Sequence, residues 1–392
     1  MAGSLDGYRI IDATQLISGP MATMILADQG ADVIKVEPPG SGDLTRALGG
    51  ARRGMAPIFA TTNRNKRSIV IDLKSPRGKE LLGRLVAGAD LFVQNFRPGK
   101  AEQMGIGELA LRQMRPDLVY VSISGFGESG PFAHQRVYDP VIQALSGLAS
   151  IQGGSGPPRM LRLIVPDKVT ALTAAQAMTA ALLARERTGE GQHVRLSMLD
   201  AVICFLWPEG MARHTFIGKD IGVSRPSDTR DLVFQTSDGY ITAGAVSNAE
   251  WQALARALEH PEWLEDARFK TPAGRVKHAD ARLRLTAEVL KTRSSAEWLQ
   301  QLDAAQVPCA PILSREQMIE HAQVVANELI VESEHPHAGR MRQPRPAARF
   351  ERSPFELRLP APTLGEHTDV VLSELGISSD ELRELRNAGV VE

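Results

Sequence analysis

Hydrophobic positions repeat with two periods along the chain. In the first 122 residues, five short runs are rich in β-branched and aliphatic residues: 8–13 (YRIIDA), 31–36 (ADVIKV), 68–73 (SIVIDL), 91–95 (LFVQN) and 118–122 (LVYVS). Runs apolar at successive positions predict strands buried on both faces. Helix-length segments separate them, so the alternation predicts an α/β fold, with a mostly parallel, Rossmann-like sheet covered by helices. Residues 170–187 (TALTAAQAMTAALLARER) are strong helix formers, and Thr188-Gly189-Glu190-Gly191 supplies the stop. A strand–turn–strand signal over 234–242 centres on Asp238-Gly239, and helices are predicted at 249–258, 280–290 and 295–304. The proline-rich stretch 336–362 reads as a return linker, and 367–375 and 379–388 as two short helices docking on the first domain.

At 392 residues the chain exceeds one ordinary hydrophobic core, so two domains are expected. The boundaries read as a large domain over 1–207, a crossover linker over 208–231, a small α+β domain over 232–330, and 331–392 returning to the large domain. The 45 Lys plus Arg nearly balance 46 Asp plus Glu, which leaves no single-sign field to draw nucleic acid or an anionic membrane surface. Cys204 and Cys309 lie far apart without CxxC spacing or a histidine cluster, so no metal site is expected and a reducing cytoplasm fits. The start, MAGSLDGYRI, has no export signal, and no run reaches the roughly 18 apolar residues of a membrane helix.

Candidate chemistry gathers at strand ends. Ser18-Gly19-Pro20 opens a small-residue helix, a geometry that turns backbone N–H groups towards an anion. No GxGxxG occurs in this Ser18–Gly30 segment, so the Rossmann-like pattern gives little support to a nicotinamide cofactor. The segment 95–99 (NFRPG) follows a predicted strand and so falls on the carboxyl edge of the sheet, where open α/β folds bind ligands. Asp167 precedes the alanine-rich helix; by position alone it could simply cap that helix.

Four ordered stretches together resemble the class III CoA-transferases of the CaiB/BaiF type, which include formyl-CoA transferase and carnitine CoA-transferase. They are LDGYRIIDATQLISGPMATMILADQGADVIKVEPPGSGD, NRNKRSIVIDLKSPRGKELL, FVQNFRPGKAEQMGIG and ARERTGEGQHVRLSMLDA, and the closing PTLGEHTDVVLSELG matches as well. The resemblance implies a large Rossmann-like domain built from both chain ends, a smaller inserted domain, and two subunits interlocked as a homodimer. It implies no permanently bound cofactor, with coenzyme A and acyl-CoA as substrates and a small carboxylic acid as acceptor. It makes Asp167 the nucleophile, passing through a mixed anhydride and an aspartyl-CoA thioester. The start of the helix would favour the ionised carboxylate and lower its pKa.

Related racemases carry a histidine immediately before an aspartate, where this chain has Tyr138 and Asp139. A phenol ordinarily titrates near 10 and is a poor base, though it donates a hydrogen bond well, so the resemblance favours transfer with Tyr138 as the second catalytic residue. A 2-methylacyl-CoA racemase and a non-catalytic CoA-binding protein are the alternatives. His134, followed by Gln135 and not by an acid, reads as loop surface. For CoA itself the resemblance implies Leu16, Leu73, Lys74, Asn95, Phe96, Arg97 and Arg136, with Lys74 and Arg97 towards phosphates. Formyl-CoA transferase has glutamine where this chain has Ile17 and arginine where it has Pro38. Its glycine-rich mobile loop corresponds to residues 244–248 (GAVSN), which hold one glycine.

Overall fold

Six strands pair side by side, all parallel, in the order β3-β2-β1-β4-β5-β6. They are β1 (Arg9–Ala13), β2 (Asp32–Glu37), β3 (Lys66–Val70), β4 (Leu91–Gln94), β5 (Val119–Ser124) and β6 (His193–Ser197). This computed structural model describes residues 3–154, 156–218 and 231–392. The principal helices are α1 (Ser18–Asp28), α2 (Pro76–Ala87), α3 (Asp139–Leu145), α4 (Val165–Thr188), α5 (Asn248–Ala257), α6 (Ala279–Leu290), α7 (Ser295–Ala304), α8 (Thr368–Glu374) and α9 (Ser379–Asn387).

Side-chain alternation explains the continuous apolar runs. Ile10, Val33, Leu91, Val93, Val119 and Val121 face α1 and α4. Their neighbours Ile11, Ile34, Ile69, Phe92 and Tyr120 face α2, α8 and α9. Both sheet faces are therefore core, as a parallel sheet requires. Two departures from the sequence reading have one cause, a charged side chain inside a strand. β3 starts at Lys66, two residues before the predicted run, because this lysine is fully buried in an ion cluster. β6 lacks a continuous apolar run, since His193 and Arg195 interrupt it on the sheet's last strand.

Helix α4 begins at Val165, with Pro166 in its first turn, five residues before the predicted start. Its N-cap is Ile164, which makes no side-chain cap bond, and Asp167 lies inside the first turn, so Asp167 is not the cap. Gly189, at φ 73°, ends the helix in the left-handed conformation expected of the stop signal.

The chain divides into two compact units. Met1–Gln152, Pro158–Glu209 and Leu329–Glu392 form one; Gly153–Pro157 and Gly210–Glu328 form the other. In the second unit, β7 (Phe234–Gln235), β8 (Tyr240–Ala243) and β9 (Cys309–Pro311) make an antiparallel sheet. Trp251, Trp263, Phe269 and Trp298 fill its core, and the Trp298 indole donates to the Leu290 carbonyl at 2.9 Å. Capping boxes at Ser247/Glu250 and Ser294/Glu297 start α5 and α7. Of the expected crossover at 208–231, residues 219–230 lie outside the described residues, and 208–210 continue the helix Met198–Gly210.

The return segment is not the plain linker expected. Its first part forms a hairpin of β10 (Ile330–His335) and β11 (Gly339–Pro344), with Pro336 in the turn and Pro344 at a strand end, positions that tolerate a missing N–H. Asn65 then stitches the chain end to the sheet: its N–H donates to the Leu359 carbonyl at 2.9 Å, and its side-chain oxygen accepts from the N–H groups of Arg358 and Leu359. Val371, Leu372, Leu382 and Leu385 of α8 and α9 complete one face of the core. Among the described residues no helix is long and apolar enough to cross a membrane, and no cluster of His, Cys, Asp and Glu could hold a metal.

Candidate active site

From β1 the chain steps to β2 and β3 on one side, and from β4 to β5 and β6 on the other. The connections after β1 and β4 therefore diverge, opening a crevice at the carboxyl ends of those two strands. Asn95 ties the crevice walls together. Its side-chain oxygen accepts the Gln15 N–H at 2.9 Å and its amide donates to the Gln15 carbonyl at 2.8 Å. Gln94 accepts the Phe96 N–H at 2.7 Å, which fixes the next turn.

A pocket of 120 Å³ sits in this crevice, lined among others by Leu16, Ser18, Asn95, Phe96, Arg97, Gly125, Val137, Tyr138, Asp167 and Met198. The first turns of α1 and α4 meet there, with Ser18 and Asp167 on the same lining, and the hydroxyl and N–H of Ser18 act to lower the Asp167 carboxyl. Despite these donors the Asp167 carboxyl is pushed up to about 6, first by burial and then by the neighbouring Asp139 carboxylate. The shift runs opposite to the lowering expected from the helix start, because desolvation and a like charge outweigh the Ser18 donors.

Asp139 is buried and works through the backbone. One carboxylate oxygen accepts the Asp167 N–H at 3.2 Å and the other accepts from Gln143 at 2.6 Å. Gln143 in turn accepts the Leu161 N–H at 2.9 Å, so α3 clamps the segment leading into α4. Burial raises the Asp139 carboxyl as well. Tyr138 precedes α3, is 63% exposed, and is among the residues that line the pocket.

Beyond Phe96–Arg97–Pro98–Gly99 a second cavity of 550 Å³ follows β5 and β6, lined by residues that include Glu102, Glu108, Ser122, Arg195 and His193. Along its floor Gln94 donates to the Ser122 hydroxyl at 3.1 Å, and Ser122 lies 2.8 Å from His193 Nε2. His134 is exposed, as expected, and lines this cavity. Burial holds His193 below the usual histidine range.

Of the residues singled out from the sequence, Asp167, Tyr138, Leu16, Asn95, Phe96 and Arg97 share the Asp167 pocket. Leu73, Lys74 and Arg136 line neither cavity. Leu73 packs on the α2 face of the core, and Lys74 and Arg136 are exposed. Residues 244–248 connect β8 to α5, with Val246 fully in solvent. Sequence reasoning did not find the roles of Ser18, Asp139 and Gln143. A helix-start signature, Asp-Pro at 139–140, marked α3, but nothing in the linear pattern tells that its carboxylate reaches another helix.

A family model described as CoA-transferase family III matches residues 5–368. Succinyl-CoA:glutarate CoA-transferase of Mus musculus is 35% identical over 99% of this chain and 90% of its own length. Formyl-CoA:oxalate CoA-transferase of Streptomyces coelicolor is 35% identical over the whole of both chains. The crystal structure of a CAIB/BAIF family protein from Brucella suis superposes with a TM-score of 0.82 at 30% identity, covering 96% of this chain and all of that one.

Proposed function

The chain belongs to CoA-transferase family III, and from that membership we propose that it transfers coenzyme A to a small carboxylic acid with Asp167 as the covalent relay. One observation carries the assignment: Asp167 is the carboxylate that lines the crevice pocket, beside Ser18, while its own backbone N–H is pinned by Asp139.

Chemically the route runs as two exchanges. A carboxylate oxygen of Asp167 attacks the thioester carbon, the C–S bond breaks, and CoA leaves as thiolate from a mixed anhydride. The thiolate then attacks the Asp167 carbonyl carbon, releasing the donor acid and leaving an aspartyl-CoA thioester. The acceptor carboxylate attacks that carbonyl, CoA departs again, and its return to the acceptor's acyl carbon gives the new acyl-CoA and free Asp167. When the thiolate or the acceptor attacks the Asp167 carbonyl carbon, negative charge collects on the Asp167 oxygen, beside the Ser18 N–H and hydroxyl; in the other two attacks it collects on the acyl group's own carbonyl oxygen. Tyr138 offers a hydroxyl from the pocket lining to the same oxygens. Proton abstraction from an α-carbon has weaker support, because a phenol stands at position 138 and Asp139 is spent on the Asp167 N–H and Gln143.

CoA is a transient substrate in this scheme, held along Leu16, Asn95, Phe96 and Arg97, with Leu73 and Arg136 as further contacts and Lys74 and Arg97 towards its phosphates. The large unit is the CoA-binding domain, the second unit its smaller companion, and the working form an interlocked homodimer in the cytoplasm. Relatives that act on glutarate and oxalate support a small carboxylic acid as acceptor. Incubating the protein with a panel of acyl-CoAs and weighing it intact tests the route, with hydroxylamine to release the adduct. The expected result is a CoA-sized mass on Asp167 that hydroxylamine removes. Asp167→Ala should abolish the adduct and lower turnover on the order of a thousandfold or more; an Asp167→Ala protein that still turns over would overturn the assignment.

A further inference from the structure

The turn that follows β1 is held through side chains, group by group. Asp12 accepts the Thr14 N–H at 2.9 Å, and the Lys35 ammonium donates to the Thr14 carbonyl at 3.0 Å. Asn95 takes both the N–H and the carbonyl of Gln15. Asp43 accepts the Leu16 N–H at 3.2 Å. Five successive backbone groups, neither helical nor in the sheet ladder, thus end on side chains from four other positions. The conformation they enforce is unfavourable: Leu16 sits at φ 69°, where a leucine side chain crowds its own backbone.

Lys35 and Asp43 are fully buried and pair at 2.8 Å. Asp12 and Lys66, also fully buried, pair at 3.0 Å, and Glu37 and Arg46 at 2.6 Å, so the cluster is neutral as a whole. Burial would raise Asp12, but Lys66 and Lys35 outweigh it and hold the carboxyl well below its usual range. Lys66, lowered to about 8 chiefly by burial, also donates to the Pro20 carbonyl in the first turn of α1 at 2.8 Å. An apolar pair of equal volume would hold the sheet together at least as well as Lys35 and Asp43. What the ions add is direction, because each aims at one backbone atom of the turn.

The turn and the helix start are in direct contact. A Cβ placed on Gly19 would lie 2.3 Å from the Thr14 Cβ, so residue 14 packs against the backbone of α1's first turn. Wherever the turn goes, Ser18 follows. We propose that Lys35 and Asp43 are positioning residues for CoA transfer: their buried ion pair locks residues 14–16 in the strained turn and thereby sets Ser18 against the Asp167 carboxylate. This role rests on the aspartyl route proposed above.

The decisive variant is the charge-neutral double Lys35→Met/Asp43→Asn, which deletes the ion pair and the tether to the Thr14 carbonyl. Its control is Arg64→Met/Asp28→Asn, which removes a largely buried pair of 2.7 Å in the same unit, away from the turn. Both are compared with the unaltered protein for melting temperature, KM for acyl-CoA, and the rate at which Asp167 takes up CoA in a single turnover. In the first variant CoA loading should slow by about tenfold to a hundredfold with KM little changed, as misplacement at a reacting group does. The control should load at the normal rate even if it melts as early. Equal loading in the two variants would overturn the positioning role and leave the aspartyl route standing. Absence of any adduct on Asp167 in the unaltered protein would remove the route, and this role with it. Hydrogen exchange on the unaltered protein gives a reading independent of whether the variants fold: the amides of residues 14–16 should exchange as slowly as those of β1, and fast exchange there contradicts the lock.

Discussion

At Asp167 folding and the proposed chemistry pull in opposite directions. A carboxylate must be ionised to attack a thioester, yet burial and the Asp139 charge hold this one near 6, above its ordinary 3.8. Activity should therefore rise with pH through an acid limb near 6 in kcat/KM. Asp139→Asn takes away the like charge and should move that limb to lower pH; a limb that stays put or moves up would contradict the assigned cause. The same shift predicts a stability effect of definite sign. A carboxyl whose folded pKa lies above its unfolded value binds its proton more tightly when folded, so its ionisation costs stability above pH 6. Asp167→Asn should accordingly melt higher than the parent at pH 7.5, with the gain shrinking as pH falls from 6 towards 4. That this acid lies in the crevice pocket agrees with where the family resemblance puts it. Its pKa was not legible in the sequence, since burial and the approach of Asp139 from 28 positions away exist only in three dimensions.

Elements were readable where a local signal governs them and misread where a tertiary contact does. The capping boxes of α5 and α7 and the Gly189 stop of α4 are sequence-local, and those ends fell within a residue or two of expectation. β3 and β6 carry charged residues that the fold buries or lines up beside a cavity, and an apolar-run criterion passes over them. The hairpin of β10 and β11 was hidden by its prolines, which mark strand ends here and not a disordered tether. Close packing between the β1 turn and α1 gives a test at this scale. Gly19→Ala drives a methyl group into Thr14, an overpacking expected to cost about 1–3 kcal/mol. Denaturant melts measure the cost, and kcat should fall with it because the start of α1 carries Ser18; unchanged stability would mean that the turn yields freely.

On the scale of the molecule, the parallel sheet draws part of one of its two covers from the far end of the chain. Val371, Leu372, Ile377, Leu382 and Leu385 are buried against the α2 face. Burial contributes about 1.5–3 kcal/mol for each such side chain, so together they match the whole net stability of an ordinary domain, about 5–15 kcal/mol. Deleting residues 365–392 should therefore yield aggregated or unfolded protein by circular dichroism and size-exclusion chromatography; a folded, monodisperse truncation would show that the rest of the core suffices. The second unit has its own apolar centre, and Trp298→Ala there should cost about 3–5 kcal/mol, read from denaturant titration. Two short helices were expected at 367–375 and 379–388, and α8 and α9 stand there with their apolar residues in the core. That Asn65 would receive the returning backbone was not legible, since one asparagine among many carries no such mark.

That sharing of a layer between the two ends of the polypeptide fixes the timing of its birth. Strand β1 leaves the ribosome some 360 residues ahead of α8; at about 5–20 residues per second, its greasy side waits tens of seconds for a lid that translation has yet to make. Through that interval the nascent chain presents an oily half-sheet to the cell, which suits it to the care of chaperones that cradle unfinished proteins.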